Sequence, residues 1–301
     1  MADIPRSKRT GDTVIELARA KVNLTLRVLG RRPDGYHELE SLVVFADVGD
    51  PVMLNVGSEP SVTMSGRFAS GVAGDNLAAK ALQIAAEAEP RLQLGAVTIE
   101  KNLPIAAGLG GGSADASATL RAVRRANPDF AQTVDWLNLA ARLGADVPVC
   151  FGNAPALMWG VGEKLHRLDD LPSLPAVLVT SDDPVPADKT REVFRHLRAP
   201  ALEPAWRRDP EPPPRSPDRA AFIAYLKGCS NDLAGPARDL MPACRQVEKA
   251  LAACPGCRLV RMSGAGPTTF GLFDNIAAAR AAAARVSDEH GGWWVKSVML
   301  G

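Results

Sequence analysis

A glycine-rich segment that runs directly into an alanine-rich one constrains this chain more than any other feature. Four glycines fall within five residues, at Gly108, Gly110, Gly111 and Gly112. Glycine allows tight backbone turns that bring several N–H groups close to one point, and a helix that begins there adds its positive N-terminal end. The segment therefore predicts an anion site formed by a loop and a helix N-terminus, and polyphosphate is the usual occupant of such a site.

Two common phosphate-binding loops do not match this segment. A Walker A loop requires Gly-Lys-Ser/Thr, and no Gly-Lys pair occurs in the chain. A dinucleotide-binding loop requires Gly-x-Gly-x-x-Gly, but the spacing from Gly108 and Gly110 reaches Ser113. The acid that should follow about 20 residues later is Asp129, which comes after an Asn-Pro pair instead of a strand. The loop therefore favours a phosphate site of another type.

The charge and composition exclude several classes of partner. Lys and Arg number 35 against 34 Asp and Glu, so the formal net charge of +1 does not indicate binding to nucleic acid or to an anionic membrane. No apolar segment has the length of a bilayer span, and residues 1–11 are polar and expected to form a frayed tail. We expect a soluble, cytoplasmic protein of about two domains.

The cysteines indicate reduced thiols. There are five, an odd number, in a sizeable chain without a secretion signal. Cys254 and Cys257 have the spacing of a redox motif, but they follow a helix-like segment instead of opening a helix after a strand. We interpret this segment as a structural turn.

The hydrophobic pattern of the first half predicts alternating strands and helices. A Pro-Asp-Gly turn leaves Tyr36 and His37 on a connection between strands. Strands are expected at residues 14–18, 22–28, 39–48, 97–101, 157–161 and 163–168, with a hairpin of 52–56 and 62–65. Helices are expected at residues 113–125 and 133–143 and, capped by Asp75, at 76–88.

The second half is interpreted as a separate unit after a linker at residues 172–175, which divides the chain into domains 1–170 and 171–301. Residues 199–217 are Pro-rich and lack an apolar period, which predicts a mobile surface loop. Strands are expected at 176–180, 258–262, 268–273 and 293–298, and helices at 218–227, 236–253 and 276–286. A second glycine loop, at residues 263–267, joins two of these strands.

Two charged residues stand in settings that suit phosphoryl transfer. Lys21 lies between two predicted strands, and Asp146 follows a helix end among small and apolar residues. Phosphoryl transfer requires amides and cations that stabilise the transferring group, and a carboxylate that positions or deprotonates the attacking hydroxyl. The spacing does not show that the two residues meet. On residue types alone, a solvated lysine and a capping aspartate therefore stay open.

Several segments resemble motifs of the GHMP kinases (galactose, homoserine, mevalonate and phosphomevalonate kinases). Residues 104–113 resemble the Pro-x-Gly-x-Gly-Leu-Gly-Ser-Ser loop of that family, with Ala106 in place of its usual first glycine. Further motifs follow in the family's order and span nearly the whole chain, at residues 18–24, 32–37, 144–148, 230–233 and 262–266. The Arg-Pro-Asp-Gly-Tyr-His block at 32–37 resembles one branch, which phosphorylates a cytidylyl sugar-alcohol diphosphate.

The resemblance implies an α+β fold of two domains: a ribosomal-S5-like N-terminal α/β domain and a ferredoxin-like C-terminal α/β sandwich. It also implies an ATP-dependent kinase, with Mg²⁺ accompanying the nucleotide, in the non-mevalonate synthesis of isoprenoid precursors. The expected partner is thus a small-molecule substrate, with no nucleic acid and no membrane.

The resemblance also implies roles for individual residues in phosphoryl transfer. Asp146 acts on the acceptor hydroxyl, and Lys21 holds that hydroxyl and lowers its proton affinity. Asn76 and Lys101 line the adenine pocket. The remaining ATP-binding residues belong to the glycine loop: Pro104, Gly108, Leu109, Gly110, Gly111, Gly112 and Ser113. No metal ligand follows from the resemblance.

For the cytidylyl substrate, the resemblance implies that Tyr36 stacks on the cytosine and that His37 bonds the edge of the base. Asn23 lies near the same substrate, and Phe194 matches a second stacking aromatic. Just before Phe194, residues 187–189 depart from the family's pattern, which leaves the second stacking surface open.

Two alternatives remain at this point. A GHMP kinase for another small alcohol shares the glycine loop, Lys21 and Asp146, but has no need of the base-reading pair Tyr36 and His37. A catalytically inactive nucleotide-binding homologue keeps the fold without turnover, and the retention of Lys21, Asp146 and Ser113 argues against it.

Overall fold

The computed structural model describes residues 12–71, 76–203, 209–214 and 218–301. The expected tail at 1–11, the cap at Asp75 and the insertion residues 204–208 and 215–217 lie outside this part. The described strands are β1 (Thr13–Asn23), β2 (Arg27–Arg31), β3 (His37–Val56), β4 (Ser61–Ser65), β5 (Gly95–Glu100), β6 (Ala156–Gly160), β7 (Lys164–Arg167), β8 (Leu174–Thr180), β9 (Cys257–Met262), β10 (Thr269–Phe273) and β11 (Trp294–Leu300). The described helices are α1 (Leu77–Ala88), α2 (Gly111–Ala126), α3 (Trp136–Leu143), α4 (Val147–Gly152), α5 (Lys189–Leu197), α6 (Arg219–Lys227), α7 (Ala234–Leu240), α8 (Ala243–Ala252) and α9 (Ile276–Glu289).

The chain divides into two compact units that alternate along the sequence. Unit 1 comprises the described residues up to Ala18, then Gly49–Asn102 and Gly112–Phe151. Unit 2 comprises Arg19–Val48, Leu103–Gly111 and Gly152–Gly301. The boundary expected at residue 170 stays a prediction.

In unit 1, β4 pairs in parallel with β5, and β5 pairs antiparallel with residues 52–56 of β3. The expected hairpin of 52–56 and 62–65 is therefore wrong, because β5 lies between these two segments. The break expected before residue 52 is also absent. β3 continues through Asp50 because its carboxylate is fully buried, where it accepts hydrogen bonds from the Lys101 ammonium and the Asn102 N–H.

Helix α2 begins at Gly111, two residues before its expected start. Small side chains dominate its buried face, which lets neighbouring backbone approach closely. The Ser117 hydroxyl donates to the Val147 carbonyl at 2.9 Å, and this bond ties α2 to α4, a short helix that the sequence pattern did not predict.

In unit 2, four antiparallel strands pair in the order β11-β8-β10-β9. Every residue of β8 is buried, as expected for a central strand covered on its faces. Helices α8 and α9 contribute Leu251 and Val286 to a core shared with Val177, Val179 and Phe273. This strand order, with helices between β8 and β9 and between β10 and β11, is the ferredoxin-like arrangement that the resemblance implies.

Two further expectations for unit 2 require correction, and one helix was missed. One helix was expected over residues 236–253, but Pro242 lies between α7 and α8, since proline lacks the N–H that a continuous helix needs. Helix α5 was not predicted. The first part of the insertion does not behave as a mobile loop, because Arg31 on β2 exchanges backbone hydrogen bonds with Pro200 and Leu202, at 2.7 and 2.8 Å.

Within the described ranges, no helix combines the length and the apolar character that a bilayer crossing demands.

Candidate active site

The glycine loop at residues 103–111 belongs to unit 2 and has left-handed backbone at three positions. Gly108 and Gly110 have φ angles of 78° and 65°, and Ala106 has a φ angle of 53°. For a residue other than glycine this conformation costs about 1–2 kcal/mol. Ala106 therefore keeps a glycine-like backbone although it replaces a glycine of the family's loop.

The second glycine loop, at residues 263–267, supports the first. The Ser263 hydroxyl donates to the Gly108 carbonyl at 2.8 Å, and the Thr268 N–H donates to the Ala107 carbonyl at 3.0 Å. A Cβ on Gly108 would lie 2.9 Å from the Gly266 carbonyl oxygen, which leaves no room for a side chain. The second loop thus holds the first in shape, a role that sequence reasoning did not assign to it.

Lys21 lies on β1 against the glycine loop. Its N–H donates to the Leu109 carbonyl at 2.9 Å, and its side chain runs along Gly110, where a Cβ would lie 3.3 Å from the Lys21 Cβ. The side chain is buried. The structure therefore brings Lys21 together with the loop residues, and an ammonium beside such a loop suits a transferring phosphoryl group.

Asn23, two residues further along β1, is almost fully buried. Its side-chain amide donates to the Ser41 hydroxyl at 2.7 Å, and its N–H donates to the Ser263 hydroxyl at 3.1 Å. The Asn23 Oδ1 atom has no hydrogen-bond partner among the described residues. The observed contacts of Asn23 join β1 to β3 and to the second glycine loop, and its role beside a substrate stays a prediction.

The candidate base-binding rings lie together in unit 2. His37, at the start of β3, stacks on Phe194 of α5, with ring centroids 4.7 Å apart and an interplanar angle of 26°. Burial, with a smaller contribution from Arg31, lowers the pKa of His37, which favours the neutral imidazole at pH 7. Tyr36 is 66% exposed and does not take part in this stack.

Asp146 lies in unit 1, between the C-terminus of α3 and the first residue of α4. It is half-buried, and its carbonyl accepts a hydrogen bond from the Cys150 N–H at 3.2 Å. The Ser117–Val147 bond holds the following helix in place. The role of Asp146 in phosphoryl transfer stays a prediction and is taken up in the proposal below.

The two residues predicted to line an adenine pocket have structural contacts in unit 1. The Asn76 side chain caps α1 by accepting hydrogen bonds from the N–H groups of Ala78 and Ala79, at 2.9 and 3.4 Å. Lys101 is 2% exposed, and its ammonium contacts the carboxylates of Asp50 and Asp115, the latter at 2.6 Å. Only its backbone is therefore expected to be available to a nucleotide.

The buried Lys101–Asp50–Asp115 group was missed by sequence reasoning. Burial alone would lower the pKa of Lys101, but the two carboxylates outweigh it and raise the pKa. Burial raises the pKa of Asp115 to about 7, against the opposing effect of Lys101. The sequence carried a weak signal, because Lys101 and Asp115 stand on either side of the glycine loop with opposite charge.

The remaining predicted loop residues form the start and end of this segment. Pro104 is buried, whereas Gly111, Gly112 and Ser113 form the first turn of α2. A Cβ on Gly112 would meet only a Leu77 methyl group, at 3.9 Å. The N-terminal turn of α2 thus has open space at Gly112.

Comparisons with known proteins agree with this organisation. The family model described as the GHMP kinases N terminal domain matches residues 76–160, and the one described as GHMP kinases C terminal matches residues 216–291. These matches confirm the expected two-part fold class.

Individual relatives resemble the chain over nearly its whole length. A 4-diphosphocytidyl-2-C-methyl-D-erythritol kinase from Rhodopseudomonas palustris (strain ATCC BAA-98 / CGA009) is 47% identical over 96% of this chain and 97% of the relative. One of the same name from Parvibaculum lavamentivorans is 46% identical over 94% and 97%.

Solved structures give the same result. The crystal structure of a 4-(cytidine 5'-diphospho)-2C-methyl-D-erythritol kinase is 35% identical, with a TM-score of 0.72 over 96% of this chain and 99% of that one. The homoserine kinase from Cytophaga hutchinsonii has a TM-score of 0.64 over 99% and 98% at 16% identity, which shows the shared fold.

Proposed function

The chain belongs to the GHMP kinases, and we propose that it transfers a phosphoryl group from ATP to the 2-hydroxyl of 4-diphosphocytidyl-2-C-methyl-D-erythritol in the non-mevalonate isoprenoid pathway. Relatives named for this kinase match nearly the whole chain. The structural observation that supports the cytidylyl substrate is the His37–Phe194 ring pair, which belongs to the same compact unit as the phosphate-type loop. A kinase for mevalonate or homoserine has no base to bind and no need of such a pair.

The chemical step needs a base and a cation. Asp146 accepts the proton of the 2-hydroxyl, and the oxygen then bonds to the γ-phosphorus of ATP. The bond from that phosphorus to the β–γ bridging oxygen breaks, and ADP leaves. Lys21 stabilises the negative charge that develops on the acceptor oxygen and on the transferring group. A positioned base contributes about 10²- to 10⁴-fold, so charge stabilisation and positioning supply the rest of the rate enhancement.

The glycine loop and the first turn of α2 bind the ATP phosphates. Gly108, Gly110, Gly111 and Gly112 allow the backbone close to the phosphate oxygens, and Ser113 adds a hydroxyl. Asn76 and the backbone of Lys101 line the adenine.

Mg²⁺ enters with the nucleotide in this proposal. The described residues include no group of three His, Cys, Asp or Glu side chains that would form a metal cage. Mg²⁺ bound to nucleotides keeps waters and phosphate oxygens and needs only one or two protein groups, so the residues present fit it. When bound, the metal neutralises charge on the phosphates.

The cytosine is recognised by rings and by one neutral imidazole. Because its pKa is lowered, His37 offers one donor and one acceptor nitrogen to the edge of the base. Tyr36, whose side chain is exposed, covers one face of the base, and Phe194 forms the opposite surface. Asn23 contacts the same substrate through its Oδ1 atom. Because both substrates are water-soluble phosphate compounds, we expect the enzyme to act in the cytoplasm.

The test is ADP release from Mg-ATP by the purified chain, with 4-diphosphocytidyl-2-C-methyl-D-erythritol, mevalonate and homoserine compared side by side. We expect release with the cytidylyl substrate alone. Release with another alcohol would retain the kinase and overturn the base-binding assignment. No release with any of them, from folded protein that binds ATP, would favour an inactive homologue.

Asp146→Asn tests the base within the same assay. The substitution keeps the side-chain shape and removes the proton acceptor, so we expect turnover to fall about 10²- to 10⁴-fold while ATP binding stays near that of the parent. The exposed substitution Asp183→Asn provides the control. Turnover of Asp146→Asn near the parent value would show that Asp146 is not the base.

A further inference from the structure

Lys189 is a buried cation that the proposed mechanism does not use. It is the first residue of α5, it is 3% exposed, and its ammonium donates to the Gly266 carbonyl. A lysine ammonium has three donors, and burying it without a counter-ion is costly. Among the described residues, no carboxylate pairs with it. Within the part of the chain that the structure describes, a positive charge thus lies beside the second glycine loop without a carboxylate to balance it.

The charged and titratable groups that act on Lys189 are another lysine and a thiol. Burial lowers the pKa of Lys189 to about 8, while Cys244 opposes this shift and Lys21 adds to it. The ammonium is therefore still mostly protonated at pH 7. Two lysines, on β1 and α5, consequently contribute positive charge next to the two joined glycine loops.

Helix α5 carries Lys189 near one part of the site and Phe194 near another. Five residues at a rise of about 1.5 Å each separate the two residues by about 7.5 Å along the helix axis. Lys189 contacts the second glycine loop at Gly266, whereas Phe194 contacts His37, the residue proposed to bind the base. In the cytidylyl substrate, a diphosphate links the nucleoside to the alcohol that is phosphorylated. One helix therefore carries a residue that contacts the second glycine loop and a residue that contacts a candidate base-binding ring.

We propose that Lys189 binds the diphosphate of the cytidylyl substrate and makes the site prefer it over an uncharged nucleoside. This assignment rests on the proposed function. The bound diphosphate supplies the counter-ion that the described residues do not provide, and Lys189 keeps its contact with the Gly266 carbonyl through another of its three donors.

Calorimetric binding of CDP and cytidine to the full chain tests the assignment. Lys189→Gln is the main variant, because the amide retains a donor for the Gly266 carbonyl and loses the charge. Lys189→Met is the second variant, and it removes both. Arg191→Met on the same helix is the matched control, because it removes an equal charge from a side chain that is 75% exposed.

We expect the parent to bind CDP at least 10-fold more tightly than cytidine, because a hydrogen bond to a charged group is worth about 10- to 100-fold in affinity. Lys189→Gln should lose that preference, with the affinity for cytidine within about 3-fold of the parent. Arg191→Met should keep it. In the kinase assay, Lys189→Gln should raise KM for the cytidylyl substrate more than it lowers kcat.

Three results would overturn the assignment. If both Lys189 variants retain the preference for CDP, Lys189 does not contact the diphosphate. If they weaken CDP and cytidine equally, Lys189 acts only by anchoring the second glycine loop. If the parent binds neither compound while it binds ATP, the proposed function fails and this assignment fails with it.

Discussion

Two buried lysines in this chain differ in what balances their charge. In unit 1, the ammonium of Lys101 contacts the carboxylates of Asp50 and Asp115. In unit 2, the ammonium of Lys189 has the Gly266 carbonyl as its hydrogen-bond acceptor within the described residues. Their pKa values shift in opposite directions, because the two carboxylates overcome the effect of burial at Lys101 and no carboxylate does so at Lys189.

The difference separates a structural charge from one that suits a ligand. Removing one partner of a buried ion pair leaves the other charge unpaired, at a high cost in stability. The Lys101–Asp50–Asp115 group therefore stabilises the contact between the strand before the glycine loop and the helix after it. A buried charge with a perturbed pKa and no protein counter-ion is a candidate for binding or catalysis. Three experiments test whether this distinction holds.

The largest effect is expected for Lys101→Met. The substitution leaves the buried carboxyl groups of Asp50 and Asp115 without their cation, and we expect the free energy of unfolding in urea at pH 7 to fall by about 3–5 kcal/mol. Lys80→Met on the exposed face of α1 is the matched control and should change it by less than about 0.5 kcal/mol. A loss for Lys101→Met as small as the control's would remove the distinction between the two lysines.

A smaller effect is expected from the titration of Lys189. Its pKa is about 8 in the folded protein and 10.5 when unperturbed, so between these values the unfolded chain binds more protons. Stability should therefore rise with pH from about 8 to about 10.5, by at most about 3 kcal/mol. We would measure the unfolding free energy of the parent minus that of Lys189→Met across this range, which cancels groups common to both. A flat difference would contradict the buried, uncompensated charge.

The third effect concerns Asp115→Asn. Because burial raises the pKa of Asp115 to about 7 from 3.8, the folded protein binds more protons between these values. The parent should therefore lose stability from this group as pH rises from about 4 to about 7. Asp115→Asn should flatten this part of the pH profile, whereas the exposed Asp183→Asn should not. An unchanged slope would show that Asp115 is ionised throughout.

Structure was predicted well from the sequence where a residue type or pattern has one main physical explanation. The glycines of residues 108–112, together with the motifs at residues 32–37 and 144–148, indicated the family and the fold. Most strands were found because their alternation or continuous apolar character reflects which faces are buried. The hairpin of 52–56 and 62–65 was wrong because β5, which comes later in the chain, pairs with both segments.

In the candidate site, too, some features could be predicted from the sequence and others could not. Lys21 was singled out for phosphoryl transfer from its residue type and the resemblance, and the structure adds that its N–H donates to the Leu109 carbonyl of the glycine loop. The support of that loop by Ser263 was not predicted, since the two segments are far apart in sequence. Helix α5 escaped prediction because its first turn follows a polar, Pro-containing segment, and with it the burial of Lys189 was missed.

The sequence by itself determined the local chemistry of this protein: which segments turn tightly, which alternate as strands, and which motifs belong to a GHMP kinase. The tertiary structure decided which charges are balanced. Lys101 and Lys189 are the same residue type in the sequence, and only the fold gives Lys101 two carboxylates and Lys189, among the residues that the structure describes, one carbonyl. Electrostatic compensation depends on distances of a few ångströms between residues far apart in the chain, and no local pattern encodes those distances.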